Sequence, residues 1–423
     1  MRKKQGGDNM IQGKIIKFYR ELQGLRQADL GNQICSSTHI SKIERGITEV
    51  SEETIKLLAK KLDINMHDEI ETYYKLNSVL KEWHEAIILK LNSKATSMKA
   101  KLEGISLLKI QDFYRFYTLV LTRYYLLIGE KNLAKALIEE MNCWQELSPY
   151  DQNMLYHIKG KFYLDYQGEY KRAISYLKRI DLTYYNNPEY YFDLAVAYMC
   201  MNSHVLAYHY ANKALQFFTN ENSFNRILET EMLMLIQVEQ EEIFDTKDSG
   251  YPRLIEMAES LGLNDQKAKL LHNYAYQQFR NGSYKQAFDY YSQSLKLRDK
   301  SHPHYLVTLE GYLNTASKLG LQSNIDLIKT AKKGLALANK SNDAMYLHYF
   351  QLHVFKIQNL IEEYYQYLET VAYPFFKEKG YGLATENYEI KLFDYYLKRG
   401  DIERANQFTH SIVDRYRKNS ELV

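Results

Sequence analysis

The chain has 423 residues, of which 45% are hydrophobic and 25% charged, with a formal net charge of +3 at pH 7. It is too long for a single small domain, and no stretch approaches the about 18 apolar residues that a membrane-spanning helix needs. Three cysteines without CxxC or His/Cys spacing argue against a zinc site and against a disulfide framework. The start of the chain leads into no apolar segment, so we expect neither a signal peptide nor a membrane span.

The first predicted unit is a compact group of helices between Ile15 and Leu62. An apolar helix ends at Gly24, and a short helix follows from about Gln27 to Ile34. After a Cys-Ser-Ser link, a second short helix runs from about Thr38 to Arg45. Two short helices joined by a few small polar residues form a helix-turn-helix, whose second helix enters the DNA major groove.

Many spaced positions in this stretch resemble the Xre/phage-repressor type of helix-turn-helix. They are Arg20, Gly24, Leu25, Gln27, Leu30, Ile34, Ile40, Ser41, Ile43, Glu44, Gly46, Ser51, Leu58, Ala59 and Leu62. Arg26 departs from the pattern, because it stands where this type usually has a Ser or Thr helix cap, whose loss costs roughly 0.5–2 kcal/mol. Residues 1–65 hold twelve Lys and Arg against eight Asp and Glu, so the positive excess lies where phosphates would bind.

The resemblance implies roles for individual residues of this head. Gln27 would anchor a phosphate, and we expect Thr38, His39 and Lys42 to reach base edges. Ser37 and Arg45 are assigned to contacts with the DNA backbone, although Ser37 is equally compatible with simple helix capping. Arg20 and Glu44 are expected to form a structural ion pair, and Ile40 and Ile43 to lie in the core.

A long helix is predicted next, from Met66 to about Leu91, because apolar residues recur there at three- and four-residue steps. It is either an ordinary packed helix or a connector that transmits a change in the C-terminal part to the head. Residues 92–104 have a weaker pattern. We therefore expect a helix-turn-helix DNA-binding domain at 1–65, a linker helix region at 66–104 and a second domain at 105–423.

The chain beyond residue 105 repeats. A Gly or Asn is followed five residues later by Ala at Gly129, Gly168, Asn202, Gly282 and Gly400, and Gly320 opens a degenerate turn. The spacing indicates about eight helix pairs, with weak units near residues 240 and 360, and resembles the tetratricopeptide repeat. The predicted fold is therefore all-α: an Xre-type helix-turn-helix domain followed by a tetratricopeptide-repeat superhelical solenoid.

In such repeats the inner face of the solenoid is lined by the first helix of each pair, chiefly six and nine residues before the turn glycine. That offset selects Tyr276 and Asn273 before Gly282, Arg123 before Gly129, and Asn314 before Gly320. Further candidates for this face are Arg280, Lys318 and His353. Asn can pair with a peptide backbone whatever its side chain, and a guanidinium can hold a carboxylate, so these residues predict a peptide-binding groove.

This order of domains, at this length, resembles the Rap, Rgg, NprR, PlcR and PrgX (RRNPP) family of Gram-positive quorum-sensing receptors. The resemblance implies a cytoplasmic, oligomeric transcriptional regulator that binds a short re-imported signal peptide and double-stranded DNA. The homo-oligomer would be a dimer or a tetramer, and peptide binding would change its oligomeric state and activate target genes such as extracellular protease genes. The alternative is a Rap-like regulator that binds a response regulator protein of the sporulation phosphorelay.

Enzymatic motifs are missing from the sequence: there is no GxGxxG, Walker loop, HExxH or GxSxG. The triplet of His302, Pro303 and His304 has no carboxylate or Cys neighbours in sequence and is interpreted as a loop. We therefore expect no catalytic residues, no metal and no cofactor.

Overall fold

The structure, a computed structural model, describes residues 2–240, 250–302, 304–320 and 323–409. Within these ranges the chain is helical without any β-strand, which confirms the predicted all-α class. None of the described helices is long and apolar enough to cross a membrane. Residue contacts divide the chain into two compact units, Met1–Asp248 and Ser249–Val423.

The first unit contains thirteen helices in its described part. They are α1 (Arg2–Leu22), α2 (Gln27–Gly31), α3 (Ser37–Glu44), α4 (Glu52–Lys61), α5 (Met66–Ile88), α6 (Asn92–Leu102), α7 (Gln111–Ile128), α8 (Lys131–Met141), α9 (Pro149–Phe162), α10 (Tyr170–Leu177), α11 (Tyr190–Cys200), α12 (His204–Asn220) and α13 (Phe224–Gln240). A 3₁₀ turn precedes α7 (Ser106–Lys109), and α9 ends in a π turn (Tyr163–Gln167).

The second unit continues the same alternation of helices. They are α14 (Tyr251–Ser260), α15 (Asn264–Arg280), α16 (Tyr284–Lys296), α17 (Tyr305–Leu319), α18 (Asn324–Lys340), α19 (Ala344–Ile357), α20 (Ile361–Tyr367), α21 (Tyr373–Glu378) and α22 (Gly382–Lys398). A π turn joins α20 to α21 (Leu368–Ala372), and residues 402–409 are also helical.

The N-terminal helices pack as a small bundle around buried isoleucines, and the predicted core residues Ile40 and Ile43 are among them. Helix α1 crosses α3 at Gly13, where an added Cβ would stand 2.1 Å from the backbone oxygen of Ile43. Glycine is required there because only a residue without a side chain allows this approach. Helix α2 ends at Gly31, earlier than the predicted Ile34, since Gln33 adopts a left-handed conformation with φ 65°.

The predicted long helix is confirmed as α5, which ends three residues earlier than expected. Its side chains pack against α1, α4, α6 and α7, and buried Trp83 donates from Nε1 to the backbone oxygen of Ala95 at 2.9 Å. The weaker pattern of residues 92–104 forms helix α6 followed by a left-handed Gly104.

The repeat pattern is confirmed at every pair that the sequence marks. Positive φ angles occur at Gly129, Gly168, Asn202, Gly282, Gly320 and Gly400. The alanines five residues later are completely or almost completely buried: Ala134, Ala173, Ala207, Ala287 and Ala405. The weak repeat near residue 360 has its turn at Asn359, with φ 58°.

Two predictions about the layout stay open. The weak repeat near residue 240 falls on residues 241–249, and Pro303 of the predicted loop is likewise outside the described residues. The division into residues 1–65, 66–104 and 105–423 stays a prediction.

His272 shows how the repeats of the second unit bury polar groups. Its Nδ1 lies 3.2 Å from the hydroxyl oxygen of Thr308, so the imidazole joins α15 to α17. Burial, together with the charges of Arg298 and His304, lowers the pKa of His272 to about 4. The unfolded chain therefore binds a proton at this position at a higher pH than the folded chain does.

This difference predicts a loss of stability in mild acid. Because the folded pKa is depressed, His272 stabilises the fold above the pKa of the unfolded state and loses that contribution as the pH falls from about 6.5 towards 4. We expect His272→Gln to lose about 2 kcal/mol less unfolding free energy than wild type between pH 7 and pH 5. Urea denaturation followed by circular dichroism measures this difference.

The exposed His209 supplies the matched control, since His209→Gln removes a histidine outside the core. An equal pH dependence in wild type and His272→Gln would show that His272 is not the buried, neutral group described.

Candidate DNA-binding head and candidate ligand cavity

The second helix of the helix-turn-helix presents most of the predicted DNA-contacting side chains to solvent. Ser37, Thr38, Lys42 and Arg45 are exposed, whereas His39 is half-buried. The helix cap is Ser36, whose hydroxyl accepts from the backbone nitrogen of His39 at 3.2 Å. Ser37 is therefore not the capping residue, and its hydroxyl lies at the open end of α3.

An ion pair between α1 and α3 fixes the position of this helix. Arg20 donates from Nε to Glu44 Oε1 at 2.5 Å and from Nη2 to Oε2 at 3.1 Å, which confirms the predicted structural pair. The side-chain amide of Gln27 donates to the same carboxylate at 2.8 Å. This bond holds the predicted phosphate anchor at the start of α2, beside α3.

The unusual residue at the start of α2 has a compensating partner. Arg26 makes no capping bond with its side chain, but Asp29 accepts from its backbone nitrogen at 3.1 Å and from its guanidinium at 2.9 and 3.0 Å. The bonds from Arg26 lower the pKa of Asp29 to about 2. A carboxylate in the first turn thus replaces the missing Ser or Thr, with the charge that a helix N-terminus favours.

One carboxylate bonds the head to helix α5 and to the first repeat. Asp112, at the start of α7, accepts from Lys14 of α1 at 2.7 Å and from the hydroxyl of Tyr73 of α5 at 2.5 Å. Burial opposes ionisation, but these two bonds hold the pKa of Asp112 below its usual value. Three helices therefore meet at this side chain.

Arg123 does not lie on an open groove, and this prediction requires correction. Its side chain is only 3% exposed, forms a buried ion pair with Glu189, and approaches His157 Nδ1 at 2.7 Å. A guanidinium can only donate, so Nδ1 accepts and the imidazole hydrogen is on Nε2, which donates to Asp193 at 2.9 Å. The guanidinium is thus occupied by His157 of α9 and by Glu189, which directly precedes α11.

The buried charges continue from this point to the connector. Arg226 of α13 lies between Glu189, at 3.8 Å, and Glu229, at 2.8 Å. Lys90, directly after α5, pairs with Glu229 at 2.8 Å. Lys161 of α9 pairs with Asp193 at 3.2 Å. We call the group of Lys90, Arg123, His157, Lys161, Glu189, Asp193, Arg226 and Glu229 the buried ion network. It joins the end of the connector to α7, α9, α11 and α13.

The second unit contains an open cavity of about 430 Å³ on the first helices of successive pairs. Its lining comes from α15, α17, α19, α20 and α22: Tyr276, Glu310, Asn314, Tyr349, Leu352, His353, Lys356, Tyr364, Ala384, Asn387, Tyr388 and Lys391. Amide, phenol, ammonium and carboxylate groups therefore face one space. This mixture can hydrogen-bond a peptide backbone and also hold charged side chains.

Three of the predicted peptide-binding residues meet in this cavity: Tyr276, Asn314 and His353. The other three predicted residues of this unit lie on α15 and α17 outside its lining. They are Asn273, which is half-buried, and the exposed Arg280 and Lys318.

The charges around the cavity influence one another. His353 Nε2 lies 2.9 Å from Glu310 Oε1. Burial and the nearby Lys318 lower the pKa of Lys356, and burial and Lys356 lower the pKa of Lys391. Burial and Glu310 raise the pKa of Tyr349 to about 12, so this phenol stays protonated and can donate.

Several lining residues were missed by the sequence reasoning. Lys391 stands nine residues before Gly400, so the same offset applied to that turn would have found it. Glu310, Lys356 and Asn387 follow no such offset. Within the described residues there is no group of three or more His, Cys, Asp or Glu that could hold a metal ion.

Sequence comparisons identify a family model that matches the head and a relative that matches most of the chain. Residues 16–68 match the family model described as Helix-turn-helix. The chain is 23% identical over 403 residues to the transcriptional activator NprA of Geobacillus stearothermophilus, covering 90% of this chain and 97% of NprA.

Comparisons of structure find a similar fold in three solved structures. The apo form of the quorum sensor NprR from B. thuringiensis is similar with a TM-score of 0.64 and 21% identity, covering 81% of this chain and 98% of NprR. For NprR in complex with its cognate peptide NprX the TM-score is 0.62 and the identity 20%, and the match covers 80% of this chain and 98% of NprR. For a Rap protein complexed with competence and sporulation factor the TM-score is 0.68 and the identity 17%, and the match covers 82% of this chain and 99% of the Rap protein. At these identities the structural likeness shows the fold.

The buried ion network predicts a large effect of removing one charge. We expect Glu189→Gln to lower the free energy of unfolding by about 3–5 kcal/mol, because it leaves the Arg123 guanidinium buried without its counter-charge. The double variant Arg123→Met, Glu189→Met should lose less, since it leaves no unpaired charge from this pair. Both tryptophans, Trp83 and Trp144, lie in the first unit, so their fluorescence in urea measures its unfolding.

The exposed Glu221 provides the control, as Glu221→Gln removes one carboxylate without disturbing the core. Equal midpoints for the two glutamine variants would show that the buried pair contributes nothing to stability.

Proposed function

We propose that this chain, a regulator of the Rap/Rgg/NprR/PlcR/PrgX family and of the NprR type, is a cytoplasmic receptor that couples binding of a short peptide to binding of DNA. The observation that carries this proposal is the cavity of the second unit, where Asn314, Asn387 and several tyrosines line one space. Peptide binding changes the oligomeric state and activates target genes such as extracellular protease genes.

The residues of the cavity favour a peptide over other small ligands. The amides of Asn314 and Asn387 each offer a donor and an acceptor, which is what a backbone peptide unit requires. Tyrosine rings provide apolar surface for the peptide side chains, with hydroxyl groups that still hydrogen-bond. In this proposal Asn273 and Arg280 of α15 and Lys318 of α17 extend this surface beyond the cavity. The structure of NprR in complex with its cognate peptide NprX supports this assignment by the likeness of its fold.

The head provides the DNA contacts in this proposal. Thr38, His39 and Lys42 of α3 reach base edges, while Gln27, Ser37 and Arg45 contact the DNA backbone. The exposure of Ser37, Thr38, Lys42 and Arg45, and the excess of positive charge in residues 1–65, support this division.

The connector provides a physical route between the repeats and the head. Tyr73 of helix α5 donates to Asp112 of α7, which also accepts from Lys14 of α1. Just after the end of α5, Lys90 forms an ion pair with Glu229 of α13. A change in the relative position of α7 and α13 would therefore move α5. The alternative role, binding of a response regulator, rests only on the likeness to the Rap fold.

The test of this proposal is the molar mass in solution. The purified chain is measured by light scattering alone and with synthetic peptides of five to ten residues derived from short open reading frames next to its gene. A change of oligomer with one peptide, and none with a scrambled version, is the expected result. If no peptide changes the mass or binds, the receptor proposal is wrong and a protein partner becomes the better explanation.

The assigned DNA contacts predict two different kinds of variant. We expect Lys42→Ala to lose about 1–3 kcal/mol of binding and to relax the choice of base at one position. Arg45→Ala should weaken binding to all sequences similarly and reduce the salt dependence by about one counterion. Selection from randomised duplexes, followed by titration at several salt concentrations, distinguishes them.

Lys81 on α5 is an exposed lysine outside the helix-turn-helix and serves as the control. If Lys81→Ala weakens binding as much as Lys42→Ala does, α3 is not the element that reads the DNA.

A further inference from the structure

The cavity of the second unit has more positive than negative charge. Lys356 and Lys391 line the cavity, and Lys318 lies close enough to lower the pKa of both. The cavity lining contains one carboxylate, that of Glu310. That carboxylate is already bonded to His353, at 2.9 Å. Among the described residues no carboxylate forms an ion pair with Lys318, Lys356 or Lys391.

Other lysines of the same unit are neutralised by the protein itself. Lys267 pairs with Glu259 at 2.6 Å, and Lys269 with Asp265 at 2.7 Å. Lys391 instead lies over the ring of Tyr388, 5.0 Å from its centroid, which attracts the cation without neutralising it. The lysines around the cavity therefore repel one another, and burial and this repulsion lower the pKa values of Lys356 and Lys391.

An anion placed between these lysines would remove the repulsion and gain charge-assisted hydrogen bonds. We infer that the cavity is a carboxylate subsite, in which Lys356 and Lys391 bind either an acidic side chain or the C-terminal carboxylate of the peptide. This inference rests on the proposed function and specifies the chemical class of its ligand.

The remaining walls define what accompanies the carboxylate. The rings of Tyr276, Tyr349 and Tyr388 surround the space and suit an apolar or aromatic side chain next to the acid. The volume of about 430 Å³ is at the small end of ligand pockets, so it takes only part of an extended peptide. His353 also lines the cavity, and its imidazole is buried and held by Glu310, so it contributes to the wall.

Ammonium groups act as point charges and do not impose the two-pronged geometry of a guanidinium. A side-chain carboxylate and a terminal carboxylate therefore both suit this site, and the experiment must separate them. The probe is a random library of seven-residue peptides, prepared once with free C-terminal carboxylates and once with C-terminal amides. Peptides retained by the full-length protein are identified by mass spectrometry.

We expect retained peptides to be enriched at least about tenfold in acidic groups. Enrichment of Asp or Glu in both libraries assigns the site to a side chain, whereas retention from the free-carboxylate library alone assigns it to the C-terminus. In Lys356→Met, Lys391→Met the affinity of a selected peptide should fall about tenfold or more for each lysine removed. The double variant Lys356→Arg, Lys391→Arg should keep the preference, because the charges remain.

Lys332→Met on α18 is the matched control, since Lys332 is exposed outside the cavity lining. Retained peptides without acidic preference, bound equally by wild type and the methionine double variant, would overturn the carboxylate subsite and leave the peptide receptor in place. Retention of no peptide from either library would overturn both. A circular dichroism spectrum and melting curve like those of wild type establish that the methionine variant is folded.

Discussion

The close approach of two helices at a buried alanine is the constraint on which both units depend. At five of the marked pairs a left-handed residue follows the first helix, and five residues later an alanine with almost no exposed surface lies in the contact: Ala134, Ala173, Ala207, Ala287 and Ala405. A larger side chain at Ala173 or Ala287 would separate the helices and disrupt the contact between neighbouring pairs. Because this contact uses only small residues, the inner-facing positions of the first helices are free to carry polar groups.

The two units use their polar positions in opposite ways. In the first unit Arg123, Glu189, His157 and Asp193 are removed from water, and a buried charge is tolerated only when a counter-charge from the protein accompanies it. In the second unit the side chain of Lys356 is only partly buried and stays exposed to solvent, which reduces the energy of leaving it unpaired. Burial therefore separates a structural network from a surface that can accept a ligand.

Polar contacts tie helix α5 to α1 and α7 and, just beyond its last residue, to α13. Asp112 brings α1, α5 and α7 together, and the bond from Lys90 to Glu229 extends the contact to α13. Since these bonds are directional, a small shift between repeats breaks or moves them, whereas apolar packing such as that of Trp83 would adapt gradually. In the proposed receptor this combination would transmit a displacement along the helix.

The amino-acid sequence alone determined the helix-turn-helix, the pair spacing and the inner position of Tyr276, Asn314 and His353. Each of these follows from short-range periodicity: a fixed offset from a turn places a residue on the same helix face in every pair. Arg123 has the same offset, yet it is enclosed because Glu189, 66 residues away, is brought against it. Only the tertiary structure decided whether a charge on that face has a partner. The partner comes from another helix, and its distance from the charge depends on how the pairs stack, which no local pattern records.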